Sequence, residues 1–394
     1  MSQLLPLEEA QERLIALASR LPAETVSVHD ALGRYLAEDL IAQRDQPAAD
    51  MSAMDGYAIR FADRNGPWTL VGECKAGSPP CRPLQPGETA RIFTGALLPE
   101  GADTVVMQEN VAADGDHIQL TEEPSPIEGR HVRHQGGDFI SGSIGLSAGT
   151  PLNAAALGHA VIAGHGALAV GKRPRVALVS TGDELIEPGD NPLPHQIPAS
   201  NDVMLSAMLA GQTAETRSLS RIADDMDILC QTLDSARDCD IIVTIGGASV
   251  GDHDLVGPAF QKLGAEIDFW KIAMQPGKPV MAGKLGDTLI LALPGNPASA
   301  YVSAILFLLP LIRYLSGAAQ YLPTYHSATL TADLPGTERR AKFLRARITD
   351  GGITPFDSQD SAKLSVLAQS NALLVRPAFS DAASAGTDVP YITV

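Results

Sequence analysis

Between Arg175 and Leu315 the chain alternates apolar runs of strand length with stretches of helical pattern. The first run, Arg175-Val176-Ala177-Leu178-Val179-Ser180, is almost continuously apolar. Such a run suits a strand covered on both faces in a parallel sheet, because a half-exposed strand would show a polar residue at every second position. Helical patterns over 201–210, 225–235, 254–263 and 297–315 alternate with further apolar runs at 240–245 and 288–293. This order predicts an α/β layered domain whose parallel strands are joined by right-handed crossovers.

The flanks read differently. From Leu4 to Leu40 the pattern is helical, with a second amphipathic segment around 29–40. Pro and Gly then punctuate short runs such as Trp68-Thr69-Leu70-Val71, Ala90-Arg91-Ile92-Phe93 and Thr104-Val105-Val106-Met107, which predicts a small β-domain. A helix is expected over 154–163, and short strands return after Gly317, at 341–348 and 373–376. The expected division is a helical linking domain at 1–44 plus 138–171, an inserted β-domain at 45–137, the α/β domain at 172–316 and a C-terminal β-domain at 317–394.

Charge removes one class of function. Lys plus Arg number 29 against 46 Asp plus Glu, for a net charge of −17. A general nucleic-acid binder needs a basic face, so that class is excluded. Cys74, Cys81, Cys230 and Cys239 are too few and too loosely spaced for a disulfide framework or a zinc site, and read as reduced thiols. The first residues carry no basic region of a signal peptide. The most apolar stretch, 298–312, contains Ser299 and Ser303 and is interrupted by Pro310, so no membrane span is expected and a cytoplasmic protein is.

Glycine-rich turns at strand ends are the first chemical signal. Ile245-Gly246-Gly247-Ala248-Ser249-Val250-Gly251-Asp252 follows one buried run, and Leu293-Pro294-Gly295-Asn296-Pro297-Ala298-Ser299 follows another. Both let backbone N–H groups approach an anion at a helix start. Neither is a Walker A loop or a dinucleotide fingerprint. Thr181-Gly182-Asp183-Glu184 closes the first strand and Asp254 lies after the Gly246 loop; one or two carboxylates plus ligand phosphates are the usual way to hold Mg²⁺. The plainer reading of Asp183 or Asp254 taken singly is a helix or turn cap. Lys271 and Lys278 are cationic candidates, and Asp55 before Gly56 reads from local pattern alone as an Asp-Gly turn. If 341–348 is a strand, Leu344, Ala346 and Ile348 share one face while Arg345 and Arg347 share the other. That basic face either meets an anion or forms a solvated edge that discourages strand pairing. His131 and His134 lack a third ligand, and no serine elbow is present.

Taken in order, Ser52-Ala53-Met54-Asp55-Gly56-Tyr57-Ala58, Arg91-Ile92-Phe93-Thr94-Gly95-Ala96, Pro99 to Glu109, Arg173-Pro174-Arg175-Val176, Ser180 to Leu185, Gly246 to Gly251, Pro276-Gly277-Lys278-Pro279 and Pro294-Gly295-Asn296-Pro297 resemble the molybdopterin molybdenumtransferase family, which is similar to the E domain of gephyrin. The resemblance implies an elongated four-part protomer with a β-barrel-like C-terminal domain. It further implies a homodimer whose site lies between the α/β domain of one subunit and the inserted β-domain of the other. The implied reaction inserts molybdate into adenylylated molybdopterin and releases AMP, with Mg²⁺ as cofactor. A molybdopterin adenylyltransferase and molybdoenzyme-maturation proteins are the implied partners.

Carried over by position, Asp55, Thr94, Glu184, Asp224, Asp254, Lys271, Lys278 and Arg345 are the implied catalytic residues, with Glu184 and Asp254 as metal ligands. Thr181, Gly182, Asp183, Gly246, Gly247, Ser249, Gly251, Pro294, Gly295, Asn296 and Ser299 are the implied pterin-phosphate and nucleotide residues. Gln275 departs from the family, where a second Lys is common, and Ala199 and Gly137 are lesser departures. The competing readings are a molybdopterin adenylyltransferase, whose fold the α/β domain resembles, and a non-catalytic scaffold of gephyrin type. The inserted β-domain weighs against the first, and retention of Glu184, Asp254 and Lys271 against the second.

Overall fold

Six strands form the sheet of the α/β domain, in the order Glu215–Ile222, Arg175–Thr181, Ile241–Ile245, Thr288–Leu293, Met281–Leu285, Glu266–Trp270. The computed structural model from which this is read describes residues 4–247 and 254–394. The strands are parallel except Met281–Leu285, which pairs antiparallel with both of its neighbours. Val176, Leu178, Val243 and Leu291 point to one face, against helices Ser200–Ala210 and Pro297–Leu315. Ala177, Val179, Ile242 and Ile290 point to the other, against Met226–Ser235 and Val256–Lys262. This two-sided burial is why the strands read as unbroken apolar runs. The strand Glu215–Ile222 escapes that reading because it is a polar edge strand, and the antiparallel pair Glu266–Trp270 and Met281–Leu285 carries too little pattern to announce itself.

The helix Pro297–Leu315 corrects an expectation. It is not interrupted at Pro310: its 19 residues are continuous, with a π-helical segment at Ala304–Leu308 just before the proline. Pro310 has no N–H to give the Leu306 carbonyl four residues back. Gln11, buried on the helix Leu7–Leu17, donates its Nε2 to that oxygen at 2.8 Å instead. By length and composition this helix is sufficient to cross a membrane, but 78% of its apolar window is buried inside the protein. It is the core helix of the domain.

The expected second helix at 29–40 is absent. A single 3₁₀ turn, Val28–Asp30, is followed by extended chain whose backbone is spent on tertiary pairing: Gly33 N donates to Leu152 O, Leu36 N to Thr150 O and Ala37 N to Ala169 O. Gly33 has φ +74°, which breaks any helix there. With the antiparallel strand pair Ala23–Ser27 and Ala167–Gly171 and the helix Ala154–Ile162, these residues enclose a small core around Leu36, Leu152 and Val170.

The inserted domain is a six-stranded sheet in the order Thr104–Met107, Gly56–Ile59, Glu88–Ile92, Trp68–Cys74, His117–Leu120, Val111–Asp114. Among the described residues, no hydrogen bond or strand pairing links 47–137 to the α/β domain. Within it Cys74 and Cys81, seven residues apart in sequence, bring their sulfurs to 3.2 Å as free thiols. Burial, then the hydrogen bond to Cys74, pushes the Cys81 thiol up to about 12.

The C-terminal sheet runs Met274–Gln275, Ala341–Thr349, Ala372–Arg376, Asp388–Thr393, His326–Thr329, with Gly352–Pro355 on Ala341–Thr349. Its first strand belongs to the α/β domain, so the two domains share a sheet. Phe343, Leu373 and Ile392 join the same apolar cluster as Leu7, Leu14 and Leu291.

Candidate active site

In a doubly wound sheet, ligands collect where neighbouring strands send their crossovers to opposite sides. Here that point lies between Arg175–Thr181 and Ile241–Ile245: the first continues to the edge strand Glu215–Ile222 on one side, and Thr288–Leu293 lies on the other. At the carboxyl ends of these strands the loops close on one another. A Cβ added to Gly246 would stand 3.2 Å from the Thr181 carbonyl, and one on Gly295 would stand 3.4 Å from Gly246 Cα. Gly246 and Gly247 take φ of +88° and +62°, a backbone that side-chain-bearing residues resist. Three strand-end loops therefore meet without side chains between them, held together by the Gly246 N–H on the Leu293 carbonyl and the Gly182 N–H on the Ile222 carbonyl.

Carboxylates and hydroxyls ring this junction. Thr181 Oγ1 donates to Asp224 Oδ1 at 2.6 Å, and Asp224 N donates to Asp183 Oδ1 at 3.1 Å. Glu184 folds back over Gly182, where a Cβ would meet its carboxylate at 2.6 Å. A Cβ on Gly247 would be 3.2 Å from Asp254 Oδ1. Thr181, Gly182, Asp183, Glu184, Asp224, Gly246, Gly247 and Asp254 thus form one contiguous group. Ser249 and Gly251 lie outside the described residues. Among the described residues no cluster of three or more His, Cys, Asp or Glu is arranged to hold a metal alone. Glu184 and Asp254 are donors of the kind a hard cation takes when its remaining oxygens come from a phosphate ligand.

Pro294 is buried, Asn296 takes the N-cap position, and Pro297 opens the helix. Ser299 is buried in its first turn. Asn201 Nδ2 donates to Gly295 O at 2.6 Å, and the Ala298 N–H is taken by Ser361 O of the C-terminal domain. Asn201 and the 359–361 loop were invisible to sequence reasoning, since only the tertiary fold carries them here.

Lys271 and Lys278 sit on the two arms of one turn: Lys271 N donates to Val280 O and Ile272 N to Lys278 O. Gly277 between them packs so closely on the helix that a Cβ would meet Ser303 Oγ at 2.6 Å. Gln275 pairs in register with Lys342.

The basic face expected around Arg345 is not formed. The two faces of Ala341–Thr349 divide as expected, with Leu344, Ala346 and Ile348 in one apolar cluster. The opposite face is no basic surface, because Phe343 and Arg345 are fully buried toward the α/β domain and only Arg347 is exposed. Arg345 Nη2 donates to Asp360 O, while Nε and Nη1 are buried without a protein partner. Burial lowers its affinity for the proton, partly offset by Asp360. A buried guanidinium with idle donors is costly, which suits a site for an anion rather than a solvated edge.

Asp55 and Thr94 form a second centre on the inserted domain. Thr94 donates both its N–H and its hydroxyl to Asp55 Oδ1, each at 2.8 Å. These bonds, the backbone one first, hold the carboxyl below its ordinary pKa, with a smaller contribution from the Arg91 charge. Gly56 is more than half of an Asp-Gly turn. It lies in a strand flanked on both sides, and a Cβ there would overlap Val106 O at 2.0 Å.

Residues 5–164 match the model of the MoeA N-terminal region (domain I and II), 177–314 that of a probable molybdopterin binding domain, and 327–394 that of the MoeA C-terminal region (domain IV). A molybdopterin molybdenumtransferase of Nostoc sp. is 37% identical over 95% of this chain and 89% of its own. The chain belongs to the molybdopterin molybdenumtransferase family. A second member, molybdopterin molybdenumtransferase 2 of Mycobacterium tuberculosis, is 35% identical over 93% of both chains. The molybdopterin biosynthesis MoeA protein of Pyrococcus horikoshii superposes with a TM-score of 0.86 over the full length of both chains at 28% identity. The multidomain α/β architecture of the family, with a central domain of the probable molybdopterin-binding type, is therefore the architecture of this molecule.

Proposed function

We propose that the chain is a molybdopterin molybdenumtransferase that inserts molybdate into the dithiolene of adenylylated molybdopterin and releases AMP, in molybdenum cofactor biosynthesis. The observation that carries this reading is the closure of the Thr181, Gly246 and Gly295 loops at the switch point, with Asp183, Glu184, Asp224 and Asp254 around them. The glycines there leave room for the phosphate of an adenylate to approach the backbone closely. Lys271, Lys278 and the idle donors of Arg345 suit oxyanions, molybdate among them. The net charge of −17 is no obstacle, since attraction of an anion is decided by these local groups.

Mg²⁺ fits the Glu184 and Asp254 pair, and when bound supplies positive charge beside the adenylate phosphate. The protein's own groups do the remainder: the glycine loops admit the ligand, the lysines and Arg345 orient its anionic parts, and Asp55, gripped by Thr94, acts near the transferred metal.

The isolation of 47–137 from the α/β domain supports a homodimer with a shared site, in which a second copy brings Asp55 to the switch point. Four free thiols, two in contact, suit the reducing cytoplasm. The supplying partner is a molybdopterin adenylyltransferase, and molybdoenzyme-maturation proteins take the product.

The test supplies the purified chain with adenylylated molybdopterin, Mg²⁺ and molybdate. Molybdate-dependent AMP release and active cofactor are expected. AMP release indifferent to molybdate, or none, overturns the reading.

A further inference from the structure

Asp55 and Thr94 reach the surface on two different loops, and one side chain ties those loops together. Arg91 lies on Glu88–Ile92, opposite Tyr57 in register. Its Nη1 donates to the Gly56 carbonyl, the first after Asp55, at 2.8 Å. Its Nη2 donates to Gln108 Oε1, and Gln108 N in turn donates to the Asp55 carbonyl at 3.1 Å. The guanidinium carbon sits 5.2 Å from the centre of the Tyr57 ring and 4.8 Å from that of Phe93, the residue before Thr94. Arg91 therefore touches the residue after Asp55, the residue before Thr94, and the group that holds the Asp55 backbone.

We propose that Arg91 is a positioning residue of the reaction, which fixes the Asp55 and Thr94 loops in register and so aims the Asp55 carboxylate. Only Arg can do this with one side chain. Its planar fork serves two acceptors at an angle while its faces stack on aromatic rings, and a lysine has neither geometry. Both Thr94 bonds end on Asp55 Oδ1, and among the described residues no protein donor reaches Oδ2. That oxygen is the working one, and its direction depends on how firmly the two loops are held.

The other charged groups on the surrounding elements are Glu109 beside Gln108, the Glu73–Lys75 pair at the end of Trp68–Cys74, and His131, Arg133, Asp50 and His134 around Met51–Ser52. Arg91 is the one whose charge acts on Asp55.

The inference rests on Asp55 belonging to the reactive site. Its test compares the full-length wild type, Arg91→Met and Arg91→Lys, each alone and with Asp55→Asn, after thermal melting has shown them folded. Arg91→Met is expected to lower kcat about ten- to a hundred-fold, as small misplacements of reacting groups do, with KM for adenylylated molybdopterin nearly unchanged. The acid limb of its kcat profile moves to higher pH because the carboxylate loses a stabilising charge. Arg91→Lys restores the limb but not kcat. In the Asp55→Asn background Arg91→Met adds no further loss. Carbon-13 NMR of aspartate-labelled protein reads the Asp55 titration without any turnover, so it decides the Arg91–Asp55 coupling even if the wild type releases no AMP and the functional reading falls. An Arg91→Met variant with wild-type kcat and an unmoved Asp55 titration, or with the same loss in the Asp55→Asn background, overturns the proposal.

Discussion

One apolar cluster runs from Leu7 on the first helix through the central sheet to Phe343 and Ile392 of the C-terminal domain, whereas the inserted β-domain is held by two small clusters, around Ile92 and around Trp68. The strand-end loops of the body are therefore anchored in a core shared by two domains and the N-terminal helix. Asp55 and Thr94 have no such backing and are positioned by hydrogen bonds and a stacked arginine. The body can be expected to resist local perturbation, and the inserted domain to respond to it independently.

Disabling Asp55 and Glu184 separately sets the two regions most directly against each other. Asp55→Ala is expected to cut turnover by about a hundred-fold or more, within the range for a lost acid–base group, while the melting of the body is unchanged. Glu184→Ala is expected to be inactive as well. Mixing the two inactive variants after subunit exchange should restore activity, since in the proposed homodimer one of the two shared sites then carries both wild-type residues. AMP release read before and after mixing decides this, and no recovery would place both residues in one subunit's site.

Core truncations probe the same contrast. Leu291→Ala, fully buried in the central sheet, should cost about 2–5 kcal/mol, and Trp68→Ala, 1% exposed, about 3–5 kcal/mol. Hydrogen exchange should show the first loss throughout the body and C-terminal domain, and the second confined to 45–137. Loss of protection across the whole chain for Trp68→Ala would show that the two regions unfold as one.

The smallest effect concerns acid. Asp45, Asp55 and Glu88 of the inserted domain all have lowered pKa values, through the Ser141 backbone, the Thr94 backbone and the Arg82 side chain respectively. In the α/β domain Asp227 is lowered by Lys262. A depressed carboxylate stabilises the fold above its unfolded pKa, and that contribution is lost as pH falls through the folded value. Below about pH 4 the inserted domain should therefore loosen before the body. Proteolysis at graded pH would reveal it as earlier cleavage within 45–137, and simultaneous cleavage would remove the distinction.

Much of the body was legible because burial on both faces leaves a trace in composition. Arg175–Thr181 and Thr288–Leu293 read as strands for that reason, and Gly246 and Gly295 read as loops built for an anion. Glu215–Ile222 did not, since an edge strand has no obligation to be apolar. The 29–40 segment had a helical pattern, but its backbone bonded to 150–169 instead, as tertiary pairing can override a weak propensity. In the site, nothing in local pattern joins Asp55 to Thr94, 39 residues apart. The family resemblance named both, and geometry supplied their contact. Arg91 stood inside a quoted motif without a role, because its role is relational.

The α/β class and the glycine loops can be read from the sequence, because they follow from which residue types are buried and which backbones are permitted, and the ordered motifs carry the family resemblance. Only the tertiary structure decided that Arg345 is buried, that Gln11 completes the helix at Pro310, and that Arg91 binds both loops of the Asp55 centre. Such contacts join residues distant in the chain, and their energy lies in donor–acceptor geometry that no local pattern encodes.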